Sequence, residues 1–115
     1  MSSGRTVRIN KKKASEMIGK IVLVGLTYRN EQDEITDIRQ YFGIVDRINT
    51  QEGLVIVRGD NQEEMSLPPR LGWYRRARPG IYNLKSSNYS VRDPDYVATL
   101  SVYPATTRDE FASDT

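Results

Sequence analysis

Short segments with the composition of β-strands recur along this chain and set the strongest limit on its fold. Residues 20–29 read KIVLVGLTYR, a run rich in β-branched and large apolar residues that is too short and uninterrupted for an amphipathic helix. Residues 96–103 read YVATLSVY and alternate strictly, with one predicted face made of Tyr96, Ala98, Leu100 and Val102. Both segments are therefore predicted strands, and little of the chain is left for helix.

Turn residues separate four further predicted strands between these two. They are RQYFGIVDRIN (39–49), LVIVRG (54–59), EEMSL (63–67) and GIYNLKSS (80–87). Tight turns such as TQEG favour a meander of short antiparallel strands over 39–67, and the whole fold is predicted to have about six short antiparallel strands. In the first of these segments Asp46 breaks the alternation of Phe42 and Ile44, and the glycine between those two predicts a bulge or bend near residue 43.

The length of 115 residues fits one domain. Residues 1–14 are polar and basic without any acid, which predicts a flexible arm. The domain is predicted at 15–104, because Pro104 closes the last strand. The polar tail at 105–115 is expected to be mobile, with a capping box at Thr107–Glu110 that suits one helical turn.

The order of the strands predicts an all-β fold, either a small closed barrel or a sandwich, because closing a sheet removes its exposed edges. The same order resembles that of the SH3-like small barrels. The features that carry the resemblance are VLVGLTY, the acidic segment NEQDEITD (30–37), YFGIVDRI, the turn at 50–53, LVIVRG and the prolines that follow the next strand. The resemblance covers residues 18–70. It implies an SH3-like barrel and carries no ligand preference to this chain.

The composition excludes most catalytic and metal chemistry. The chain has no histidine and no cysteine, which removes the commonest general base, the thiol nucleophile and nearly every zinc pattern. The sequence also lacks the glycine-rich motifs that hold nucleotide phosphates. Glu63 and Glu64 are adjacent in a predicted strand and point to opposite faces, while Asp93 and Asp95 flank a proline in a predicted turn. We therefore expect no enzyme activity, no cofactor and no metal.

Charge and hydropathy narrow the range of partners. The net charge of +2 is too small to predict nucleic-acid binding by itself. No apolar run is long enough to span a membrane, and the N-terminal residues lack the apolar core of a signal peptide. The absence of cysteine suits a reducing compartment. The sequence therefore predicts a cytoplasmic protein with no membrane partner.

The segment at 68–79, PPRLGWYRRARP, is the candidate recognition surface. It holds four arginines, the only tryptophan and a tyrosine, without any acid. Arginine binds carboxylate and phosphate through a planar fork, and Trp, Tyr and Arg are enriched both at the centres of protein interfaces and in single-strand nucleic-acid sites. The candidate binding residues are Arg70, Trp73, Tyr74, Arg75, Arg76 and Arg78.

A structural alternative exists for the same segment. Leu71, Trp73 and Tyr74 would plug one end of the barrel, and the arginines would pair with Glu63, Glu64 or the acidic segment. A buried Trp73 ring favours the plug, whereas an exposed ring favours a binding site.

The sequence thus predicts a non-catalytic interaction module that presents residues 70–78, together with the acidic segment 30–37, to a protein partner. The alternative is a nucleic-acid-binding small barrel that uses the basic arm and the Trp/Tyr/Arg segment. The low net charge favours a protein, as does an acidic segment that would repel phosphates if it lay on the same face. Neither the identity of the partner nor the oligomeric state follows from the sequence.

Overall fold

The computed structural model of the protein describes residues 8–85 and 88–104 and the backbone of 111–113. An α-helix, α1 (Lys11–Met17), precedes the strands. The strands are β1 (Ile21–Arg29), β2 (Ile35–Asn49), β3 (Gly53–Arg58), β4 (Glu64–Leu67), β5 (Arg75–Arg76), β6 (Ile81–Asn83), β7 (Ser90–Arg92), β8 (Tyr96–Val102) and β9 (Phe111–Ser113). A short 3-10 helix, Leu71–Trp73, lies between β4 and β5. The described chain is mostly β, which confirms the all-β prediction.

Strand β1 is the centre of a seven-stranded sheet. The strand order is β4-β3-β2-β1-β8-β5, and β9 also pairs with β8. The antiparallel meander predicted over 39–67 is confirmed by the pairing of β2 with β3 and of β3 with β4, and β1 joins it by antiparallel pairing with β2. The prediction of an all-antiparallel sheet is wrong for β8, which pairs parallel with β1. A parallel pair needs a long crossover connection, and the chain from β2 to β7 supplies it.

The predicted closed barrel is also wrong. Within residues 8–85, 88–104 and 111–113, the strand path begins at β4 and ends at β5, and these two strands do not pair with each other. Met17 of α1, together with Leu71 and Tyr74 from the chain after β4, completes the main core. The sheet therefore remains open, since these side chains bury its apolar face without closure.

Two clusters of buried side chains lie on opposite faces of the sheet. The main core contains Val22, Val24 and Leu26 of β1, and it includes the predicted β8 face: Tyr96, Ala98 and Leu100 are buried, with Val102 packed against them. The smaller core consists of Leu23, Leu84 and Val91. Strands β6 and β7 pair only with each other in the described chain, and this two-stranded sheet supplies Leu84 and Val91 to the second face.

The bulge in β2 lies three residues beyond its predicted position. The register of β2 against β3 shifts between Val45 and Arg47, so Asp46 is the extra residue. Gly43 is instead in regular pairing, where a Cβ atom would collide with the carbonyl oxygen of Val57. The bulge explains why Val45 is buried in the main core and Ile48 also packs against it, although their positions differ in parity.

The prediction of a flexible arm is wrong for residues 11–14, which belong to α1. The side chain of Asn10 caps this helix by accepting a hydrogen bond from the Lys13 backbone N–H at 3.1 Å. Lysines in the first turn oppose the helix dipole, so packing must hold the helix in place. Met17 is fully buried and supplies that packing. Residues 1–7 of the predicted arm lie outside the described residues.

Two further boundaries differ from the sequence prediction. The predicted acidic loop at 30–37 is a turn only through residue 34, because β2 begins at Ile35. The predicted mobile tail contributes β9, which pairs with Leu100 to Val102 of β8. The predicted capping box at Thr107–Glu110 lies outside the described residues.

No helix within the described ranges is long and apolar enough to cross a membrane.

Candidate binding surface

The arginine segment, residues 70–78, crosses from the end of β4 to the start of β8. Pro68 and Pro69 lack the N–H groups that would continue the β4 ladder, so the chain leaves the sheet there. The 3-10 helix then turns the chain, and Arg75 and Arg76 pair with Val97 and Tyr96 as the short edge strand β5. The segment therefore lies at the edge of the sheet, beside the beginning of β8.

Tyr74 belongs to the core and not to the surface predicted for a partner. Its side chain is fully buried, and its hydroxyl donates a hydrogen bond to the carbonyl oxygen of Pro68 at 2.7 Å. Burial raises the pKa of the Tyr74 phenol well above its usual range, because the charged form would lose its hydration. Leu71 is buried in the same core. These two residues take the structural role that the plug alternative gave them.

Trp73 is half-buried, which lies between the buried ring expected of a plug and the exposed ring expected of a binding site. One part of the ring packs against the main core. The guanidinium carbon of Arg70, whose side chain is exposed, lies 5.5 Å from the Trp73 ring centroid. Trp73 and Arg70 thus form a cation–π pair at the surface, of the kind found at interface centres.

The arginines of the segment are not neutralised by the acids that the plug alternative named. Arg75, Arg76 and Arg78 are exposed, and within the described part of the chain no salt bridge involves them or Arg70. Glu64 pairs with Arg47 at 2.8 Å instead. Asp33, in the acidic segment, pairs with Arg29 at 3.6 Å. No acid among the described residues therefore neutralises these four guanidinium groups.

A concave site next to the segment, here called the basic cleft, was not predicted. It has a volume of about 640 Å³ between α1 and β5, and its charged and aromatic lining consists of Lys13, Glu16, Lys20, Arg76 and Tyr96. Lys13 Nζ lies 5.9 Å and Arg76 Cζ 5.7 Å from the Tyr96 ring centroid. Three cations and one acid therefore line a cleft whose aromatic wall is already in contact with two of them.

The Lys13 side chain is held in the cleft by the arginine segment. Its Nζ donates a hydrogen bond to the carbonyl oxygen of Tyr74 at 2.8 Å. The sequence carries one signal for this residue, the run KKK at 11–13, but a lysine run alone predicts a flexible basic arm. No sequence signal placed Lys20 or Tyr96 in this cleft. Their convergence with Arg76 depends on the packing of α1 and on the parallel pairing of β8 with β1.

The acidic turn lies far from the basic cleft. Val22 at the start of β1 is opposite Tyr96, whereas Tyr28 at its other end is opposite Val102, next to the turn at 30–34. A strand rise of about 3.3 Å per residue separates these two ends by roughly 20 Å. Exposed charges at that distance are largely screened at physiological salt, where the Debye length is about 8 Å. The two predicted partner surfaces, 30–37 and 70–78, are therefore separate.

Several carboxylates outside the cleft form ion pairs or hydrogen bonds within the fold. Arg47 contacts Asp46, Glu52 and Glu64, and the hydrogen bonds from Arg47 lower the pKa of Glu52 to about 2. Asp93 Oδ1 accepts from the Gly80 N–H at 2.7 Å, and Asp95 Oδ2 accepts from the Ile21 N–H at 2.9 Å. Across the residues that the structure describes, no group of three or more His, Cys, Asp or Glu side chains is placed to hold a metal ion.

Comparison with known proteins assigns no family. No family model matches the chain, and no curated protein and no solved structure matches it significantly. Any function must therefore be inferred from the side chains that the fold brings together.

Proposed function

We propose that this protein is a non-catalytic binding module whose basic cleft and arginine segment hold an acidic stretch of a protein partner. The observation that carries the proposal is the convergence of Lys13 and Arg76 on the ring of Tyr96, with Lys20 in the same cleft. The cytoplasm is the proposed compartment, in keeping with a chain that has no cysteine. An SH3-like relation of residues 18–70 is proposed on the sequence layout alone.

The chemistry of the surface favours carboxylates. Each exposed arginine offers a fork that fits a carboxylate with two parallel hydrogen bonds. Trp73 adds partly exposed aromatic area, and such rings with neighbouring arginines dominate the energetics of protein interfaces. The hydrogen bond from Lys13 to Tyr74 fixes one cation before a partner arrives, which reduces the entropy lost on binding.

A nucleic-acid partner is the second candidate, and the position of the acidic turn favours it. The sequence argued against nucleic acid because an acidic segment on the same face would repel phosphates. The turn at 30–34 lies instead at the far end of β1 from the cleft, so that repulsion is weak. The same cations and rings would then follow a phosphate backbone and stack on bases.

Fluorescence polarisation with two labelled probes tests the proposal. The probes are a peptide of alternating acidic and aromatic residues and a short single-stranded RNA, each titrated at low and at physiological salt. We expect Arg76→Ala and Trp73→Ala to weaken peptide binding at least tenfold, whereas Arg92→Ala, an exposed arginine on β7, leaves it unchanged. Peptide binding should weaken with salt, because exposed ion pairs are screened, but less steeply than the binding of a polyphosphate chain.

The competing outcomes are distinct. Tight RNA binding that falls steeply with salt would support the nucleic-acid candidate, because neutralised phosphates release counterions. Peptide binding that Arg76→Ala and Trp73→Ala leave intact would exclude this surface. Co-purification of the same proteins from lysate by wild type and by both variants would lead to the same conclusion.

A further inference from the structure

The first part of β2 has an open edge. Strand β3 pairs with β2 only from Gly43 onward, whereas β1 pairs with β2 from Ile35. Residues 35–41 therefore have β1 on one side and no strand on the other within the described chain. A strand edge without a neighbouring strand presents backbone N–H and C=O groups that can template pairing with another strand.

The backbone of Ile38 points to this open edge. The Phe42 carbonyl oxygen accepts from the Gly59 N–H at 3.0 Å, which identifies the β3 side of the strand. Alternate residues of a strand direct their backbone groups to the same edge, so those of Ile38 face the side where β3 is missing. The Ile38 N–H donates instead to Oδ1 of Asp37 at 2.9 Å, a local substitute for a neighbouring strand.

The sequence around Ile38 is complementary to itself. Asp37 and Arg39 flank it, and Arg39 Nε lies 2.8 Å from Asp37 Oδ2 on the exposed surface. In an antiparallel pair related by a two-fold axis through Ile38, Asp37 of each strand lies directly opposite Arg39 of the other. Ile38 is also the midpoint of the open stretch 35–41. A two-fold axis through Ile38 therefore places this whole stretch opposite the same stretch of the second copy.

We propose that the chain forms a two-fold symmetric dimer by antiparallel pairing of the open β2 edges, centred on Ile38. The two Ile38 residues exchange a pair of N–H···O=C bonds. The Asp37 carboxylate leaves the Ile38 N–H and binds Arg39 of the second copy. The Ile38 side chains, 58% exposed in the single chain, then become neighbours across the axis.

A second copy fits this edge better than an unrelated strand does. The acid and the base stand at mirror positions around Ile38, so the pairing of two identical strands places opposite charges together at both ends. Pairing also extends the sheet and leaves the basic cleft accessible, because β5 lies beyond β8 on the other side of β1. The dimer therefore adds to the proposed binding function and does not depend on it.

Sedimentation equilibrium over a concentration series tests the dimer with charge-reversed variants. We expect wild type to be dimeric, and Asp37→Arg and Arg39→Asp each to be monomeric, because like charges then oppose each other across the axis. An equimolar mixture of these two variants restores the dimer, since one chain carries two bases where the other carries two acids. Arg92→Asp, a charge reversal on β7, stays dimeric.

Circular dichroism of each variant establishes that it is folded before its mass is interpreted. If a charge reversal prevents folding, Ile38→Lys serves as the second variant, since the exposed lysine places like charges on the axis, and it should be monomeric. A monomeric wild type at high micromolar concentration would overturn the proposal. Dimeric single variants, or a mixture that stays monomeric, would overturn it equally.

Discussion

Lys13 Nζ lies 2.8 Å from the carbonyl oxygen of Tyr74, which joins α1 to a residue 61 positions further along the chain. We expect Lys13→Met to lower the free energy of unfolding by about 1–2 kcal/mol, because it removes a charge-assisted hydrogen bond and keeps most of the apolar stem. Lys12→Met is the matched control, since Lys12 is exposed on the same helix. Urea denaturation measures both. Equal stability of the two variants would show that this bond does not hold the helix.

The hydroxyl of Tyr74 is expected to stabilise the fold through Pro68. Tyr74→Phe removes the donor to the Pro68 carbonyl oxygen and should cost about 1–2 kcal/mol of unfolding free energy. Tyr82→Phe is a matched control, because its hydroxyl also donates to a backbone carbonyl, that of Arg78 at 2.8 Å, but at an exposed site. Denaturant titration should show a clearly smaller loss for Tyr82→Phe than for Tyr74→Phe.

Burial of Tyr74 also predicts a loss of stability in alkali. The folded state raises the pKa of this phenol above its ordinary value of 10.0, so the unfolded chain ionises first as the pH rises. The contribution of Tyr74 is complete below about pH 10 and decreases above it, because deprotonation then favours the unfolded chain. The stability advantage of wild type over Tyr74→Phe should therefore shrink as the pH rises above 10.0. A constant difference would contradict this linkage.

Gly43 is expected to be essential to the contact between β2 and β3. A methyl group at this position would collide with the backbone carbonyl of Val57, which cannot move without breaking the ladder. We predict that Gly43→Ala lowers the free energy of unfolding by about 1–3 kcal/mol. Gly25→Ala in β1 is the control, because an added Cβ there meets no atom within 4 Å. Thermal denaturation that ranks the two variants equally would argue against the close approach.

Arg47 should stabilise the fold in a manner that depends on pH and salt. It contacts Glu52, Glu64 and Asp46, and its hydrogen bonds to Glu52 lower the pKa of that carboxyl from 4.5 to about 2. A lowered carboxyl pKa gives stability that is present above the unfolded pKa of 4.5 and is lost as the pH falls towards 2. Arg47→Met should therefore reduce the melting temperature near neutral pH, by an amount that shrinks in acid and at high salt.

Local sequence patterns predicted where the strands lie better than they predicted which strands pair with each other. The alternation in 96–103 identified the face of β8 that contains Leu100, and the composition of 20–29 identified β1. The parallel pairing of these two strands was not predictable, because periodicity indicates which face is buried and not which strand lies alongside. Helix α1 was missed for a similar reason. Its stability depends on the burial of Met17, which a lysine-rich composition conceals.

The candidate site was predicted in part. The arginines at 75, 76 and 78 are exposed as expected, and the sequence indicated them because charged residues between prolines rarely enter a core. The burial of Tyr74 and the half-burial of Trp73 were not predictable from composition, since both rings suit a core and a surface equally. Lys13 joins the cleft only because α1 packs against the segment that contains Tyr74.

The parallel pairing of β1 with β8 constrains the order in which contacts form as the chain is synthesised. The hairpins from β1 to β4 form from neighbouring residues, but the Ile21 N–H finds Asp95 only across 74 positions. Contacts so distant along the chain slow folding, because a long loop must close first. A nascent chain that has not yet emerged beyond Tyr96 therefore leaves one edge of β1 bare, with Val22, Val24 and Leu26 still lacking their β8 neighbours. Until β8 pairs, β1 therefore combines a bare strand edge with exposed apolar side chains, the two features that make incompletely folded chains prone to aggregate.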